Sequence, residues 1–382
     1  MTSGEPVQVY ANPHRVPNPP ATQAGGDPRA FHRELPGYAV TPLVDAPELA
    51  AELGLDALRV KVESSRLGLP SFKILGASWA IARLLVDRYG TLPDPPTLDD
   101  LRVALATDSP VTFVAATDGN HGRAVARMAR LLGCACRILV PAGMAEARIT
   151  GIQSEGATVE VIEGTYDDAV AASAALADDD VLVVSDTSWD GYVDAPANVI
   201  AGYATIFAEV DEQLGGQPGE DDVDLVIVPM GVGALTAAVV AHYSARAAVV
   251  AVEPLTAACG LESARAGAPA FVPGPHDSIM AGLNCGTVSL IAWPTVLAGV
   301  DAFVAVDDPA AEQAVRDLAG LGVVAGETGA ASLAGLRALV AHADEAGIEV
   351  RGRRALVLCT EGATDPVAYE RIVGRPPPPG VR

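Results

Sequence analysis

From Val111 onward, the chain alternates between short, almost wholly apolar segments and segments whose apolar residues have helical spacing. A strand without polar alternation is typically buried on both faces of its sheet. Because helices separate these strands, neighbouring strands can run parallel while the helices cover both faces. The sequence therefore predicts an α/β protein with open, mostly parallel, twisted sheets and helices on both faces.

The same pattern gives approximate bounds for the elements. Strands are predicted over residues 38–43, 58–62, 111–117, 136–140, 158–162, 181–185, 225–228, 248–252, 302–306 and 355–359. Helices are predicted over 46–53, 74–85, 123–132, 145–155, 166–177, 195–213, 234–245, 309–321 and 329–343, with a short helix near the end. Proline and glycine predict an extended arm over 1–35, a loop over 91–110, a less regular stretch over 259–294 and a disordered or extended tail over 375–379.

Charge and composition argue against several classes of function. The net charge of −23 repels phosphate backbones, so no nucleic-acid partner is expected. The sequence contains neither a signal-peptide pattern nor an apolar run long enough for a membrane span, so no membrane partner is expected. Five scattered cysteines favour a reducing, cytoplasmic location, and the spacing of Cys134 and Cys136 is too tight for zinc, so no metal site is predicted. Whether Cys259 and Cys285 pair is left open.

Lysine is scarce in this chain. Only two of the 25 basic residues are lysines, Lys61 and Lys73. Chemistry that needs a side-chain amine, such as a Schiff base to a carbonyl, therefore has two candidates, since the arginine guanidinium stays protonated. Lys61 lies in a predicted strand, whereas Lys73 follows a turn and opens a predicted helix with Ser71 as its N-cap. This pattern alone does not separate either one from an ordinary surface lysine.

Ligands of open parallel sheets bind beyond the carboxyl ends of the strands. The strand at 111–117 is followed by Asp118, a candidate general base, and by Asn120, whose amide lies between two glycines and can approach a ligand. Asp186 follows the strand at 181–185, and Thr360 follows the last strand. Each of these loops is equally compatible with a polar turn that only caps the next helix.

A glycine-containing segment, Met230-Gly231-Val232-Gly233-Ala234-Leu235-Thr236, lies between a predicted strand and a predicted helix. Backbone N–H groups at such a junction suit a phosphate. Glu253, twenty residues after Gly233, also gives a partial match to a dinucleotide fingerprint, but Thr236 replaces its third glycine. Phosphate binding is favoured, and a dinucleotide-binding dehydrogenase is the alternative from another class of enzyme.

Together, these segments resemble the fold-type II pyridoxal-phosphate enzymes, and most closely the diaminopropionate ammonia-lyases. The resemblance covers about residues 35–372 and rests on the segments 35–38, 41–43, 63–66, 71–76, 116–123, 166–168, 186–192, 280–286, 326–331 and 360–365. The lysine segment and the Asn120 loop are common to the whole fold type. Aspartate in place of serine at position 118, together with the Asp186 loop, indicates the narrower family.

The resemblance implies pyridoxal 5'-phosphate as the cofactor. It implies that Lys73 binds the cofactor aldehyde as a Schiff base and that Asn120 hydrogen-bonds its 3-hydroxyl group. It also implies that Thr360 faces the pyridine nitrogen, where a neutral hydroxyl favours elimination over transamination. The residues expected to hold the phosphate are Gly231, Val232, Gly233, Ala234 and Leu235, although the family usually has serine at the position of Ala234. Asp118 and Asp186 are expected to flank the substrate, either as bases on opposite faces of the α-carbon or as partners of its β-ammonium group.

The implied reaction is α,β-elimination of 2,3-diaminopropionate to pyruvate and two ammonia, catalysed by a cytoplasmic homodimer that binds a small amino acid. Two domains are expected: a cofactor-binding domain formed by 1–80 and 190–382, and a smaller, substrate-closing domain formed by 81–189. The alternatives within the fold are a serine or threonine dehydratase and a β-replacing enzyme. A small hydroxyl residue is expected at position 118 in the dehydratases. A non-catalytic cofactor-binding or metabolite-sensing protein is disfavoured because both acids are present, and the preference for D or L substrates is left open.

Overall fold

The computed structural model describes residues 7–21, 25–107, 110–117, 119–215 and 222–378. The strands are β1 (Val7–Ala11), β2 (Leu43–Asp45), β3 (Ala57–Val62), β4 (Thr112–Ala116), β5 (Ala135–Pro141), β6 (Thr158–Ile162), β7 (Val181–Val183), β8 (Leu225–Pro229), β9 (Ala248–Pro254), β10 (Ala302–Val306) and β11 (Arg354–Cys359). The helices are α1 (Pro28–Arg33), α2 (Pro47–Leu53), α3 (Lys73–Tyr89), α4 (Leu98–Leu105), α5 (Asn120–Leu132), α6 (Glu146–Gln153), α7 (Tyr166–Ala174), α8 (Asp194–Gly202), α9 (Ala204–Gln213), α10 (Ala234–Tyr243), α11 (Cys259–Ala266), α12 (Trp293–Gly299), α13 (Asp308–Gly320), α14 (Glu327–Ala341), α15 (Ala343–Ala346) and α16 (Pro366–Val373).

These strands form two sheets. The large sheet has the order β1-β10-β9-β8-β11-β3-β2, and the small sheet has the order β6-β5-β4-β7. All pairs of the small sheet and the central pairs of the large sheet are parallel, while the edge strands β1 and β2 pair antiparallel. The predicted α/β class with mostly parallel sheets is confirmed.

Both faces of the large sheet are buried, as the apolar strands predict. Alternate residues of β8 point to opposite faces: Val226 and Val228 join a core that contains α10 and α3, whereas Leu225 and Ile227 join a second core that contains α13 and α14. The first core also includes apolar residues of the small sheet. One face of the large sheet and the small sheet therefore share a continuous apolar core.

The strands of the small sheet all come from residues 112–183, and those of the large sheet come from 7–62 and 225–359. These positions are compatible with the expected division of the chain at 80 and 190, which remains a prediction. Helix α3 packs against α8 and α5 and so contacts helices of both parts. Among the described residues, none of the helices combines the length and apolar character that crossing a bilayer requires.

The N-terminal region is more regular than predicted. In place of an extended arm, β1 pairs with β10 and α1 begins at Pro28; residues 1–6 and 22–24 of the predicted arm lie outside the described residues. Asp27 caps α1 by accepting hydrogen bonds from the backbone of Arg29 and Ala30, and proline fits the first helical turn. The pairing partner of β1 lies almost 300 residues away, which local sequence does not indicate.

Four other predictions of secondary structure were wrong. The strand expected over 38–43 begins only at Leu43, and the helix expected over 195–213 is divided at Tyr203 into α8 and α9. The loop expected over 91–110 contains α4, which a capping box between Thr97 and Asp100 stabilises. The stretch expected to be irregular over 259–294 contains α11.

Candidate active site

Lys73 is the first residue of α3, and its side chain reaches a cavity at the carboxyl ends of strands from both sheets. Asp186, after β7, and the segment after β8 line the same cavity. The N-cap of α3 is Phe72 rather than the predicted Ser71, but the Ser71 hydroxyl still accepts a hydrogen bond of 3.2 Å from the backbone N–H of Lys73. Ser71 therefore orients the start of the helix from one position further back.

The amine of Lys73 contacts the carboxylate of Asp186. Lys73 Nζ lies 2.5 Å from Asp186 Oδ2, and the hydroxyl of Tyr166 donates a hydrogen bond of 3.2 Å to Oδ1. Asp186 is buried, which opposes ionisation, but the Lys73 ammonium and these hydrogen bonds outweigh burial and lower the pKa of Asp186 below its usual range. The side chain is therefore an ionised carboxylate with both oxygens held in place.

His121 lies behind this pair. Its Nε2 is 2.8 Å from the carbonyl oxygen of Val184, so Nε2 carries the hydrogen that the carbonyl accepts. Burial lowers the pKa of His121, which favours the neutral ring. Its Nδ1 is 3.9 Å from Asp186 Oδ2, too far for a hydrogen bond. His121 and Tyr166 received no role in the sequence reasoning, although each lies within a family-like segment.

The other lysine does not reach the cavity. Lys61 is fully buried, and its Nζ donates hydrogen bonds to the Glu209 carboxylate at 2.8 Å, the Thr41 carbonyl oxygen at 2.9 Å and the Gln213 side chain at 2.9 Å. All three hydrogens of its ammonium group are thereby used. Of the chain's two lysines, Lys73 is the one placed for chemistry on a ligand.

The predicted phosphate segment lines the cavity with all five of its residues, from Gly231 to Leu235. Gly233 has a φ of 98°, a left-handed conformation that favours glycine, and α10 begins at the next residue. The first N–H groups of a helix have no partner within it and bind anions. At Gly231, an added Cβ would lie 3.2 Å from Cys285 Sγ and 3.3 Å from the Gly282 carbonyl oxygen, so the wall is tight there. An amine and a helix N-terminus in one cavity fit a cofactor that has both an aldehyde and a phosphate.

The remaining predicted residues are placed differently. Asn120 begins α5 and donates a short hydrogen bond from Nδ2 to Glu361 Oε2. The Thr360 hydroxyl is 3.4 Å from the Thr328 carbonyl oxygen. The backbone carbonyl of Thr360 accepts a hydrogen bond from the backbone N–H of Phe72, the residue before Lys73. Neither Asn120 nor Thr360 belongs to the wall of the Lys73 cavity. Asp118 lies outside the described residues.

Glu253 is not available to hold a ribose. Its carboxylate accepts hydrogen bonds from the backbone N–H groups of Gly260 at 2.7 Å and Leu261 at 2.8 Å, at the start of α11. Complete burial raises the pKa of Glu253 to about 8. The carboxyl group is committed to capping a helix, which removes the main support for the dinucleotide alternative.

Metal ligands and cysteines complete the description of the described part of the chain. No group of three or more His, Cys, Asp or Glu side chains there is arranged to hold a metal ion. Cys259 and Cys285 both lie near Gly231 and form no disulfide bond.

Residues 34–360 match the model of a family described as pyridoxal-phosphate dependent enzymes. The chain belongs to this family. It is 32% identical over 377 residues to the diaminopropionate ammonia-lyase of Salmonella typhimurium, covering 91% of each chain. It is 34% identical to that of Escherichia coli strain K12, covering 90% of each chain. The resemblance predicted from the sequence is thereby confirmed.

Solved structures of this family agree with the fold. The chain matches crystal structures of the Escherichia coli diaminopropionate ammonia-lyase at 30% identity and 96% coverage of both chains. The TM-score is 0.86 for the complex with D-serine and 0.85 for the complex with an aminoacrylate-PLP azomethine reaction intermediate. A biosynthetic L-threonine dehydratase of Mycobacterium leprae is also similar, at 31% identity over 96% of this chain and 78% of its own length.

Proposed function

We propose that this protein catalyses the pyridoxal-phosphate dependent α,β-elimination of 2,3-diaminopropionate, which with water gives pyruvate and two molecules of ammonia. The observation that carries the proposal is the contact between Lys73 and Asp186 in a cavity that the segment from Gly231 to Leu235 also lines. The similarity to two diaminopropionate ammonia-lyases over about nine-tenths of the chain supports this substrate.

Three parts of the chain would hold the cofactor. The Lys73 amine is the nucleophile for its aldehyde, and the N–H groups at the start of α10 bind its phosphate. Ala234 contributes backbone but no hydroxyl to that phosphate site. Asn120 and Thr360 are proposed to contact the ring, with Thr360 as a neutral partner of the pyridine nitrogen. When bound, pyridoxal phosphate supplies an electron-withdrawing ring that stabilises negative charge at the α-carbon of an amino acid.

Proton transfer is assigned to the residues around Lys73. Asp186 is ionised and can accept a proton, while Tyr166 fixes one of its oxygens. In its neutral form, the Lys73 amine, which lies within hydrogen-bonding distance of Asp186, is a second acceptor. Asp118 is proposed as the carboxylate base on the other face of the substrate, on the evidence of sequence alone. A carboxylate can also hold the β-ammonium group of diaminopropionate before it leaves as ammonia.

The second candidate is a serine or threonine dehydratase, or a β-replacing enzyme of the same fold. The 31% identity to a threonine dehydratase favours it. Hydroxyl and ammonium leaving groups differ in charge, so a second carboxylate beside the substrate favours the diamine. Asp118 is therefore the residue that separates the two candidates.

The test is a steady-state assay of the holoenzyme for pyruvate or 2-oxobutyrate and ammonia, with D- and L-diaminopropionate, D- and L-serine and threonine. We expect kcat/KM for one or both isomers of diaminopropionate to exceed that for serine and threonine by about a hundredfold, since a lost charged contact costs at least that much discrimination. A higher kcat/KM for serine or threonine would favour the second candidate. Absence of turnover with every one of these amino acids would refute both.

We also propose that the protein is a cytoplasmic homodimer. None of the five cysteines forms a disulfide bond, which supports a reducing compartment, and the homodimer follows from the family resemblance. Multi-angle light scattering of the purified holoenzyme tests the assembly, with twice the mass of one chain as the expected result.

A further inference from the structure

Glu361 is a buried carboxylate that connects the two sheets. It follows β11 of the large sheet and is 1% exposed. Its Oε2 accepts the hydrogen bond from Asn120 Nδ2, and its Oε1 lies 3.7 Å from Arg148 Nη2. Asn120 begins α5 and Arg148 lies in α6, and both helices pack on the small sheet. One carboxylate of the large sheet thus meets two side chains that the small sheet carries.

The backbone of Glu361 is fixed to the segment that carries Lys73. Glu361 forms an antiparallel bridge with Ser71, and the next residue, Gly362, donates a backbone hydrogen bond of 2.8 Å to Pro70. On the other side, an added Cβ at Gly329 would lie 2.1 Å from the Glu361 carbonyl oxygen, so α14 packs directly on this backbone. The position of the carboxylate is therefore set relative to Lys73.

The Glu361 carboxylate faces a buried arginine. The Arg148 side chain is only 7% exposed, so its ion pair with Glu361 is shielded from water. Burial, together with the charge of Glu361, raises the pKa of Glu327 to about 7. Arg148 is therefore the cation that Glu361 meets from the small-sheet side.

The contact also orients the Asn120 amide. An amide nitrogen carries two hydrogens, so donation of one to Glu361 fixes the side chain and leaves the second free to donate to a ligand. We propose that Glu361 is a positioning residue: it orients Asn120 for the 3-hydroxyl group of the cofactor and holds the small sheet against the Lys73 segment. The inference rests on the proposed function, in which Asn120 contacts the cofactor.

The first test is a double-mutant cycle on pyridoxal phosphate affinity, measured from the absorbance of the bound cofactor without substrate. Glu361→Ala is expected to weaken binding about tenfold, the cost of a lost charged hydrogen bond. Glu361→Gln, which keeps an oxygen acceptor for Asn120, should restore most of the affinity. Because Glu361 acts through Asn120, the double variant Glu361→Ala/Asn120→Ala should bind no more weakly than Asn120→Ala alone. Independent, multiplying losses or an unchanged affinity of Glu361→Ala would overturn the proposal.

The second test uses the protein without cofactor, so it does not depend on which amino acid the enzyme consumes. Hydrogen exchange is expected to accelerate in α5, in α6 and in residues 70–73 of Glu361→Ala. Asp317→Asn is the control, because it removes an ion pair of 2.8 Å with Arg337 that lies within the large-sheet helices, and it should leave these segments unchanged.

Should Glu361→Ala fail to fold, Arg148→Met removes the ion pair with Glu361 from the small-sheet side, and unchanged exchange at 70–73 in that variant would refute the inference. A wild-type protein that binds cofactor but does not turn over diaminopropionate would refute the proposed function and leave this inference standing.

Discussion

Lys73 and Asp186 are separated by 113 positions in the chain, yet Lys73 Nζ lies 2.5 Å from Asp186 Oδ2. The lysine begins a helix that follows the large-sheet strand β3, and the aspartate follows a strand of the small sheet. Their contact therefore requires both sheets to be in place. It gives the cavity one amine and one ionised carboxylate next to each other, which is what proton removal beside a covalently held carbonyl cofactor requires.

The first prediction concerns the site of cofactor attachment. Borohydride makes the link between the cofactor and its lysine permanent, and digestion with mass spectrometry then identifies that lysine. We expect the label on Lys73 alone, because the Lys61 ammonium is buried and fully hydrogen-bonded. Lys73→Arg should lose the long-wavelength absorbance of the bound cofactor, since a guanidinium is not a nucleophile. A label on Lys61 would contradict the assignment.

The second prediction concerns Asp186 as a base. Asp186→Asn should lower kcat by about 10²–10⁴-fold, the usual contribution of a general base, while the absorbance of the bound cofactor is retained. The matched control is Asp190→Asn, in the same loop, because Asp190 is exposed and does not line the cavity. Unchanged kcat for both stereoisomers in Asp186→Asn would exclude Asp186 as a base.

The third prediction concerns Asp118, for which the argument is the sequence resemblance. If Asp118 and Asp186 serve opposite faces of the α-carbon, Asp118→Asn should abolish ammonia release from one stereoisomer of diaminopropionate and spare the other. Separate rate measurements with D- and L-diaminopropionate test this. Full activity toward both isomers would show that Asp118 is not the base.

Much of the fold could be predicted because its strands are apolar on both faces. The strand predicted over 302–306 matches β10 in full, and all five of its residues are buried. Ligands bind beyond the carboxyl ends of strands, and this rule pointed to Asp186 and to the segment from Gly231 to Leu235. Both line the cavity that Lys73 reaches. These predictions needed only local pattern and strand direction.

The partners of these residues could not be predicted in the same way. Nothing in local spacing distinguishes Glu361 from an ordinary charged residue after a strand, because its contacts with Asn120 and Arg148 depend on how the two sheets pack. Tyr166 likewise reaches Asp186 only because α7 packs on β4 and β5, and β4 pairs with β7, the strand that precedes Asp186. Contacts between distant segments are a property of the packing, and one sequence does not reveal it.

The fourth prediction concerns the glycine at the narrow part of the cavity wall. Gly231→Ala would place a methyl group 3.2 Å from Cys285 Sγ and 3.3 Å from the Gly282 carbonyl oxygen. We expect pyridoxal phosphate to bind about tenfold more weakly, since overpacking costs about 1–3 kcal/mol. The control is Gly320→Ala, because an added Cβ there meets open space. Equal affinity of both variants would show that the wall can relax around the methyl group.

The fifth prediction concerns a buried ion network and has two parts, one on stability and one on its dependence on pH. Glu209 accepts hydrogen bonds of 2.7 Å from both terminal nitrogens of Arg66 and one of 2.8 Å from Lys61, and the Arg66 side chain also binds Glu63. All four side chains are almost completely inaccessible to water. Removing one member leaves an uncompensated buried charge, so Glu209→Gln should lower the free energy of unfolding by about 3–5 kcal/mol.

The matched control is Glu312→Gln, which breaks a pair of 2.6 Å with Arg371 that is partly exposed. It should change the free energy of unfolding by less than about 1 kcal/mol, because exposed ion pairs contribute little. Urea denaturation of both variants and the wild type measures the difference. An equal loss of unfolding free energy in both variants would show that the buried network stabilises the fold no more than an exposed ion pair does.

The network also predicts a dependence of stability on pH. Burial alone would raise the pKa of Glu209, but Arg66 and Lys61 outweigh burial and lower it from 4.5 to about 2. The unfolded chain therefore binds more protons than the folded chain between these values, and stability is lost as the pH falls from 4.5 toward 2. Glu209→Gln cannot bind that proton, so its free energy of unfolding should fall less steeply over this window than that of the wild type. Parallel pH profiles would show that Glu209 does not keep its charge in the folded protein.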